Sequence, residues 1–270
     1  MPKKLYIKLM GGLGNQLFQL AAGLSAVKNH RIEPVLMLGK YASVDARFYE
    51  LECLENALGI SSQLFVNPFV IPHKIKESRE FEFQKIEINP SRNNQLEGYF
   101  QNPNYVKNCR DELVGAYVSA GKRSEKNLGC KCLKDHIGLH MRRGDYLLPR
   151  NRNLLGVLHN DYFEQIASEF RDAHISIFTD GAADSGIRQI ANESDVYGGD
   201  FSAWWTLSKM ASMDTLIVSN SSLSWWAAYI GQSLNPDQIV ISPRNWFREL
   251  PGSASLVLKE WNTRESVWVL

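Results

Sequence analysis

The sequence predicts an α/β fold built on parallel sheets, and three observations carry that expectation. Short apolar runs alternate with helical stretches along most of the chain, the signature of parallel strands whose faces are covered by helices. Glycine or small polar residues stand at strand-to-helix turns, as in Gly11-Gly12-Leu13-Gly14 and Ser219-Asn220-Ser221-Ser222. Polar clusters recur just past strand ends, the edge at which open α/β sheets bind ligands.

Taken in order, Leu5 to Met10 reads as a strand and Gly11 to Gln16 as a tight glycine turn. Leu17, Leu20, Ala21 and Leu24 recur at helical spacing, so a helix runs to about Asn29-His30. Val35 to Leu38 is a second strand, and Phe48 to Leu58 a helix stopped by Gly59. Residues 60–95 carry Pro68, Pro72 and Pro90 and read as loops and short helices. Leu96 to Gln101 reads as a strand and Asn104 to Ala120 as a helix. The polar, glycine-punctuated stretch Gly121 to Gly129 is the expected interdomain linker. Beyond it the strands are Ile137 to Met141, Ile175 to Phe178, Asp195 to Tyr197, Thr215 to Val218 and Gln238 to Ser242. Between them lie helical stretches from Asp161 to Asp172, Ala183 to Ala191, Phe201 to Met210 and Leu223 to Ile230. The expected organisation is a domain over 1–128, a second over 129–250, and a tail over 251–270 that packs back on the fold.

Composition excludes several classes. Of 270 residues, 44% are apolar and 22% charged, enough for a sizeable core. A net charge of +1 argues against a nucleic-acid binder held by bulk electrostatics. No apolar run is long enough to span a membrane, so no transmembrane segment is expected. Met1 to Leu5 enters a strand with no signal-peptide core, which favours a cytoplasmic protein with reduced thiols. Four cysteines do not make a disulfide framework. Cys130, Cys132 and His136 offer three ligands at most, with the cysteines too close for a zinc knuckle, so no metal is expected there.

The polar groups gather in four places. His140, Arg142, Arg143 and Asp145 follow one strand, and Thr179 and Asp180 another. Ser219, Asn220, Ser221 and Ser222 follow a third, and Ser242 and Arg244 a fourth. Side chains alternate along a strand, so His140 and Arg142 share a face and Arg143 points to the other. One arginine then faces a ligand while the other braces the loop through Asp145. Arginine suits bidentate recognition of phosphate, and the start of the helix after Ser221 and Ser222 offers backbone amides and a favourable dipole. A diphosphate is the natural anion for such a rim. Asp180 suits a guanine edge or a ribose hydroxyl, or serves as a turn residue before Gly181. At the glycine turn, Leu17 stands where a dinucleotide fingerprint needs its third glycine, so NAD is discounted. What is left is a backbone nest for phosphate or sugar, or a connection that needs positive φ. No phosphate-binding P-loop and no Gly-x-Ser-x-Gly elbow is present. Trp225 and Trp226 sit about 100° apart on their helix, so at least one is expected in the core.

These residues fall into a familiar order. Gly11-Gly12-Leu13-Gly14-Asn15-Gln16-Leu17-Phe18-Gln19 resembles the N-terminal motif of the α-1,2-fucosyltransferases of bacterial type, glycosyltransferase family 11. His140-Met141-Arg142-Arg143-Gly144-Asp145-Tyr146 resembles that family's second motif, and Ser219-Asn220-Ser221-Ser222-Leu223-Ser224-Trp225-Trp226 its third. Gly98-Tyr99-Phe100-Gln101, Ile177-Phe178-Thr179-Asp180 and Ser242-Pro243-Arg244-Asn245-Trp246-Phe247 are similar to its weaker blocks. Departures are Leu20, Leu223 and Tyr229, where the family commonly has Tyr, Phe and Trp respectively, and the stretch from Asp200 to Leu207, which keeps one acid of a usual pair.

The resemblance implies a GT-B-type fold, two Rossmann-like domains with the donor site in the C-terminal one. It implies a GDP-β-L-fucose donor and inverting, metal-independent transfer to the 2-hydroxyl of a terminal galactose. Arg142 and Asp145 are then the catalytic candidates, with Arg142 on the donor diphosphate. His140, Arg143 and Asp180 belong to the donor site, the first and last near the nucleoside. Asn220, Ser221 and Ser222 meet the phosphates, and Gly12, Gly14, Asn15 and Gln16 form a loop that closes over the donor. No cofactor or metal is implied. The partners are GDP-fucose and a galactose-terminated glycan, free or lipid-linked, with the enzyme cytoplasmic or peripheral at the inner membrane. A same-fold enzyme with another linkage or GDP-sugar shares these features. A non-catalytic nucleotide- or carbohydrate-binding module would be expected to lose the arginine pair or the glycine loop, and both are intact.

Overall fold

A computed structural model describes residues 2–38, 49–64, 73–123, 133–170, 173–181 and 196–269. The chain divides into two compact units, Met1–Glu125 and Lys126–Leu270. Gly121 to Arg123 close a helix, and residues 124–129 of the expected linker lie outside the described residues.

The first unit contains β1 (Lys3–Lys8), α1 (Leu13–Val27), β2 (Ile32–Met37), α2 (Glu52–Leu58) and β3 (Ser61–Gln63). It continues with β4 (His73–Lys76), β5 (Asn94–Glu97), α3 (Pro103–Asn108) and α4 (Arg110–Arg123). The strands pair in the order β3-β2-β1-β5-β4, every pair parallel. Leu5, Tyr6 and Ile7 of central β1 are all buried, as a strand covered on both faces requires. The glycine stop is real: Gly59 adopts φ +64, and its amide donates to Glu55 O, ending α2. Asn102 caps α3 by accepting from the Asn104 amide, with Pro103 in the first turn.

Two expectations need correction here. The single helix expected from Asn104 to Ala120 is two, separated at Cys109, whose φ of −126° leaves the helical region. Residues 60–95 hold β3 and β4 rather than only loops and short helices. Both are short edge strands of largely polar sequence, held by backbone pairing to β2 and β5, so no apolar alternation announced them.

The second unit contains β6 (Leu133–Met141), α5 (Pro149–Leu154), α6 (Asn160–Ala167), β7 (His174–Thr179) and β8 (Val196–Tyr197). It continues with α7 (Ala203–Ala211), β9 (Met213–Ile217), α8 (Ser222–Leu234), β10 (Ile239–Pro243) and β11 (Asn262–Arg264). The order β11-β10-β9-β6-β7-β8 is again fully parallel. Counted within the unit it reads 6-5-4-1-2-3, the doubly wound arrangement, which reverses between its first and fourth strands. Leu139, Met141, Ile177, Ile217 and Ile241 on one face pack against Tyr162, Phe163 and Ile166 of α6. Residues 251–270 join this unit through β11, which adds a sixth strand beside β10.

The helix expected from Asp161 to Asp172 stops at Ala167, and a 3-10 turn continues to Phe170. The helix expected over Ala183 to Ala191 lies outside the described residues, as do Asp195, Cys130 and Cys132. Two parallel α/β sheets in separate units meet the expectation of two Rossmann-like domains.

Candidate functional site

The strand order of the second sheet reverses between β6 and β9, so the carboxyl ends of these two strands are where a ligand crevice belongs. One hydrogen bond spans that point: Ser219 Oγ lies 2.8 Å from His140 Nδ1. His140 is only 3% exposed. Burial holds its imidazole neutral and pushes its pKa down to about 4, with Arg142 and Arg143 adding to the shift and Asp180 opposing it. His140 therefore joins the end of β6 to the turn before α8 and is buried beneath the rim.

Arg142 is the next residue on that face. Its guanidinium bridges two carboxylates, NH2 donating to Asp145 Oδ1 and NH1 to Asp180 Oδ2. It lies 5.1 Å from the centre of the Tyr146 ring, and its buried Nε has no hydrogen-bond partner among the described residues. Register explains the pairing: Met141 of β6 sits opposite Thr179 of β7, so the next residues, Arg142 and Asp180, emerge side by side. Asp180 also accepts the Arg143 amide at 2.6 Å. Gly144 turns the chain tightly against it at φ +30, and a Cβ there would come within 2.4 Å of Asp180 Oδ2.

The division of labour between the arginines corrects the sequence reading in one respect. Arg143 does point away from His140 and Arg142, as alternation requires, but Asp145 pairs with Arg142 rather than Arg143. Arg143 lies over the Phe163 ring at 5.7 Å and donates to Leu158 O at 3.0 Å and to Asn160 Oδ1 at 2.7 Å. It ties the loop after β6 to the start of α6. The reason is reach: Asp145 lies within the 3-10 turn Gly144–Leu147, which brings its carboxylate back over Arg142.

The serine turn is built around α8. Ser221 caps the helix, its Oγ accepting from the Leu223 amide at 3.4 Å, and Ser222 begins it half-buried. Ser224 Oγ donates to Ser219 O and Ser221 O and closes the turn beneath. Asn220 was expected to meet the donor. Instead it is 1% exposed, and its Nδ2 donates to Leu155 O and Gly156 O at 3.0 Å each. Its carbonyl accepts from Tyr146 OH at 3.1 Å, which links the serine turn to the ring beneath Arg142. Both tryptophans are core: Trp225 stacks on Tyr229 at 5.1 Å and donates from Nε1 to Leu256 O at 2.8 Å, and Trp226 is equally buried.

In the first unit the glycine turn follows β1. Gly11 has φ +73, and a Cβ there would meet Asn15 Nδ2 at 2.5 Å, so glycine is required on both counts. Gly12 caps α1 and Gly14 is buried within its first turn. Gln16 Nε2 donates to Gly11 O at 2.9 Å, and its Oε1 accepts from the Glu50 amide at 3.1 Å. Gln19 takes the Met10 amide and carbonyl in the same way. Glu50 Oε1 accepts from the Leu13 amide at 3.1 Å. The first turn of α1 thus already carries an anion, supplied by the chain. Asn15 Oδ1 accepts from Gln101 Nε2 at 2.7 Å, joining the turn after β1 to the loop after β5.

The family model of glycosyl transferase family 11 matches residues 4–265. The chain belongs to glycosyltransferase family 11. Among curated relatives, the O-antigen biosynthesis glycosyltransferase WbnK of Escherichia coli is 25% identical over 90% of this chain and 95% of its own length. An α-1,2-colitosyltransferase of Escherichia coli is 26% identical over 89% of this chain and 91% of its own length. Among solved structures, the fucosyltransferase NodZ from Bradyrhizobium is similar over 84% of this chain and 93% of that one, with 13% identity and a TM-score of 0.48.

In this family 11 glycosyltransferase, sequence reasoning missed the residues that hold the site from behind. Asn160 and the Leu155 and Gly156 carbonyls brace Arg143 and Asn220, and Glu50 and Gln19 brace the glycine turn. Nothing in linear spacing connects Asn160 to Arg143 or Glu50 to Leu13. Only the heptapeptide around Arg142 hinted at Tyr146. Among the described residues no group of three His, Cys, Asp or Glu side chains is placed to hold a metal ion, and His136 lies against His174 at 4.8 Å. No described helix is long and apolar enough to cross a membrane.

Proposed function

We propose that this family 11 glycosyltransferase moves L-fucose from GDP-β-L-fucose, with inversion, to the 2-hydroxyl of a terminal galactose, without a metal. The observation that carries the donor half is Arg142. It stands at the reversal point of a doubly wound sheet, over the Tyr146 ring whose hydroxyl reaches the Asn220 carbonyl in the turn before α8, with a buried Nε–H that has no partner among the described residues. A buried guanidinium N–H is costly to leave unmade, and a phosphate oxygen is the acceptor best matched to it. Arg142, Ser221 and Ser222 then meet the charge that develops on the leaving diphosphate, the work a metal does in other transferases. Asp145 and Asp180 hold the guanidinium from two sides and act as positioning residues. His140, Arg143 and Asn220 support the same rim from beneath. In an oxocarbenium-like displacement the acceptor hydroxyl loses its proton late, so placement of that hydroxyl matters more than a strong base.

The acceptor half rests on family membership and on the relatives' names, which speak of O-antigen biosynthesis and an α-1,2 linkage. The acceptor we infer is a galactose-terminated glycan of that kind, lipid-linked and met at the cytoplasmic face of the membrane. The relative named for colitosyl transfer favours one second reading, the same linkage with another sugar on GDP. Product analysis tests both. The protein is incubated with GDP-fucose, and with other GDP-sugars, against a panel of galactosides, and the linkage is assigned by NMR. A fucosyl-α-1,2-galactose product is expected. A product joined elsewhere, or formed only from another GDP-sugar, overturns the specific reading.

A further inference from the structure

In the first sheet β1 and β5 are neighbouring parallel strands, so the loops at their carboxyl ends lie side by side. The loops leaving these two strands are the glycine turn and Gly98-Tyr99-Phe100-Gln101, and the Asn15–Gln101 hydrogen bond joins them. The second loop is held with unusual force. Glu77, just past β4, accepts the Tyr99 amide on Oε2 at 2.7 Å and the Phe100 amide on Oε1 at 3.0 Å. Phe100 is left-handed at φ +52, a costly conformation for an aromatic residue. Its ring is buried edge-on to Tyr105 at 5.8 Å. Gly98 has φ +157, and a Cβ there would lie 2.4 Å from Glu77 Cβ. A carboxylate, a glycine and a strained backbone together set the course of four residues. What the loop displays is Tyr99, 41% exposed.

We propose that this rim is an acceptor subsite, with Tyr99 the platform on which the terminal galactose stacks and Glu77 the residue that positions it. The inference rests on the transferase reading above. Backbone strain of this kind persists where surrounding structure over-determines it, and it clusters at ligand sites. The chemistry fits a neutral hexose. One face of a galactopyranose is a patch of C–H groups that packs on an aromatic ring, as apolar groups do in sugar and nucleobase sites. The Asn15–Gln101 amide pair beside it brings hydroxyl-matching donors and acceptors and no net charge. The carboxylate that clamps the loop, Glu77, already accepts two backbone amides, and Glu97 at the end of β5 is paired with Lys8.

The test uses the full chain and lactose as the probe, observed by saturation-transfer NMR with GDP present. Wild type is compared with Tyr99→Ala, Tyr99→Phe and Glu77→Gln, each checked for folding by circular dichroism and for GDP affinity. Tyr99→Ala is expected to weaken lactose binding by roughly three- to tenfold, the scale of one aromatic stacking contact. Tyr99→Phe keeps the ring and the binding. Glu77→Gln, which can accept from only one of the two amides through its single carbonyl oxygen, gives an intermediate loss with GDP affinity unchanged. Equal lactose affinity in wild type and Tyr99→Ala, or no lactose binding by wild type, overturns the subsite. Unchanged lactose affinity in Glu77→Gln removes Glu77 as its positioning residue. Because the readout is binding, the two readings fail separately. A chain that binds lactose through Tyr99 but transfers no fucose keeps the subsite and loses the donor assignment.

Discussion

Ser219 Oγ and His140 Nδ1 lie 2.8 Å apart, and that one contact joins the end of β6 to the turn that begins α8. It requires an imidazole buried among the strand ends, and burial fixes the charge state. The consequence is a pH-dependent stability whose sign can be worked out. The folded pKa is lowered to about 4 from an ordinary value of 6.5. Between these values the unfolded chain binds a proton that the folded chain refuses. Stability contributed by neutral His140 is therefore fully present above pH 6.5 and is lost as pH falls toward 4. The loss is about 1.4 kcal/mol per pH unit at full slope. Urea unfolding followed from pH 7 to pH 4.5 is expected to show this slope, and His140→Asn to flatten it. A slope that survives in His140→Asn would assign it to other groups.

Arg142 bridges Asp145 and Asp180, so removing it does two things. It takes away the cation proposed for the diphosphate, and it leaves two carboxylates facing the same space. Arg142→Ala is expected to lower kcat/KM for GDP-fucose by roughly 100- to 1000-fold, the usual cost of one donor that stabilises developing charge. Arg142→Lys keeps the charge but not the fork that spans both carboxylates, so recovery is partial. Turnover near wild type in a folded Arg142→Ala protein would remove Arg142 from the donor site.

How far this rim was legible in the sequence follows from what kind of signal each residue leaves. His140, Arg142 and Asp180 stand at strand ends, and strands announce themselves by apolar runs, so their grouping was readable. Alternation correctly sent Arg143 to the far face, where it meets Phe163. Its partner was misread because a 3-10 turn redirects Asp145, and such a turn has no periodic signature over four residues. Asn220 was read as a ligand group from its place in the serine turn at a strand end. Its amide is turned to Leu155 and Gly156, more than sixty positions away, a pairing that only the folded chain defines. The edge strands β3 and β4 escaped for a related reason: their pairing is backbone to backbone and asks nothing of the side chains. Tyr99 and Glu77 show the same limit, since a carboxylate that restrains a loop twenty-two residues on looks like any other surface acid.

Metal independence is open to a direct check. If Arg142 and the start of α8 carry the positive charge at the leaving group, transfer should not depend on a divalent ion. Activity in excess EDTA is expected to equal that in buffer alone, with added Mg²⁺ or Mn²⁺ changing it less than twofold. Activity that vanishes in EDTA and returns with either ion would contradict the metal-free mechanism.

Trp225 ties the serine turn to the far end of the chain. Its ring stacks on Tyr229, and its Nε1–H reaches Leu256 O at 2.8 Å, inside the 3-10 turn Pro251–Leu256. The ring is fully buried one turn below Ser221 and Ser222. Trp225→Phe keeps most of the packing but leaves the Leu256 carbonyl buried without that donor, a cost of about 1–3 kcal/mol. Trp225→Ala adds a cavity and is expected to cost about 3–5 kcal/mol. Urea midpoints measure both. If the indole serves to fix the cap as well as to fill the core, Trp225→Phe should also raise KM for GDP-fucose at temperatures far below its melting transition. A Phe variant less stable than wild type but with unchanged donor KM would confine Trp225 to the core and leave the geometry of the serine turn to Ser224 and Asn220.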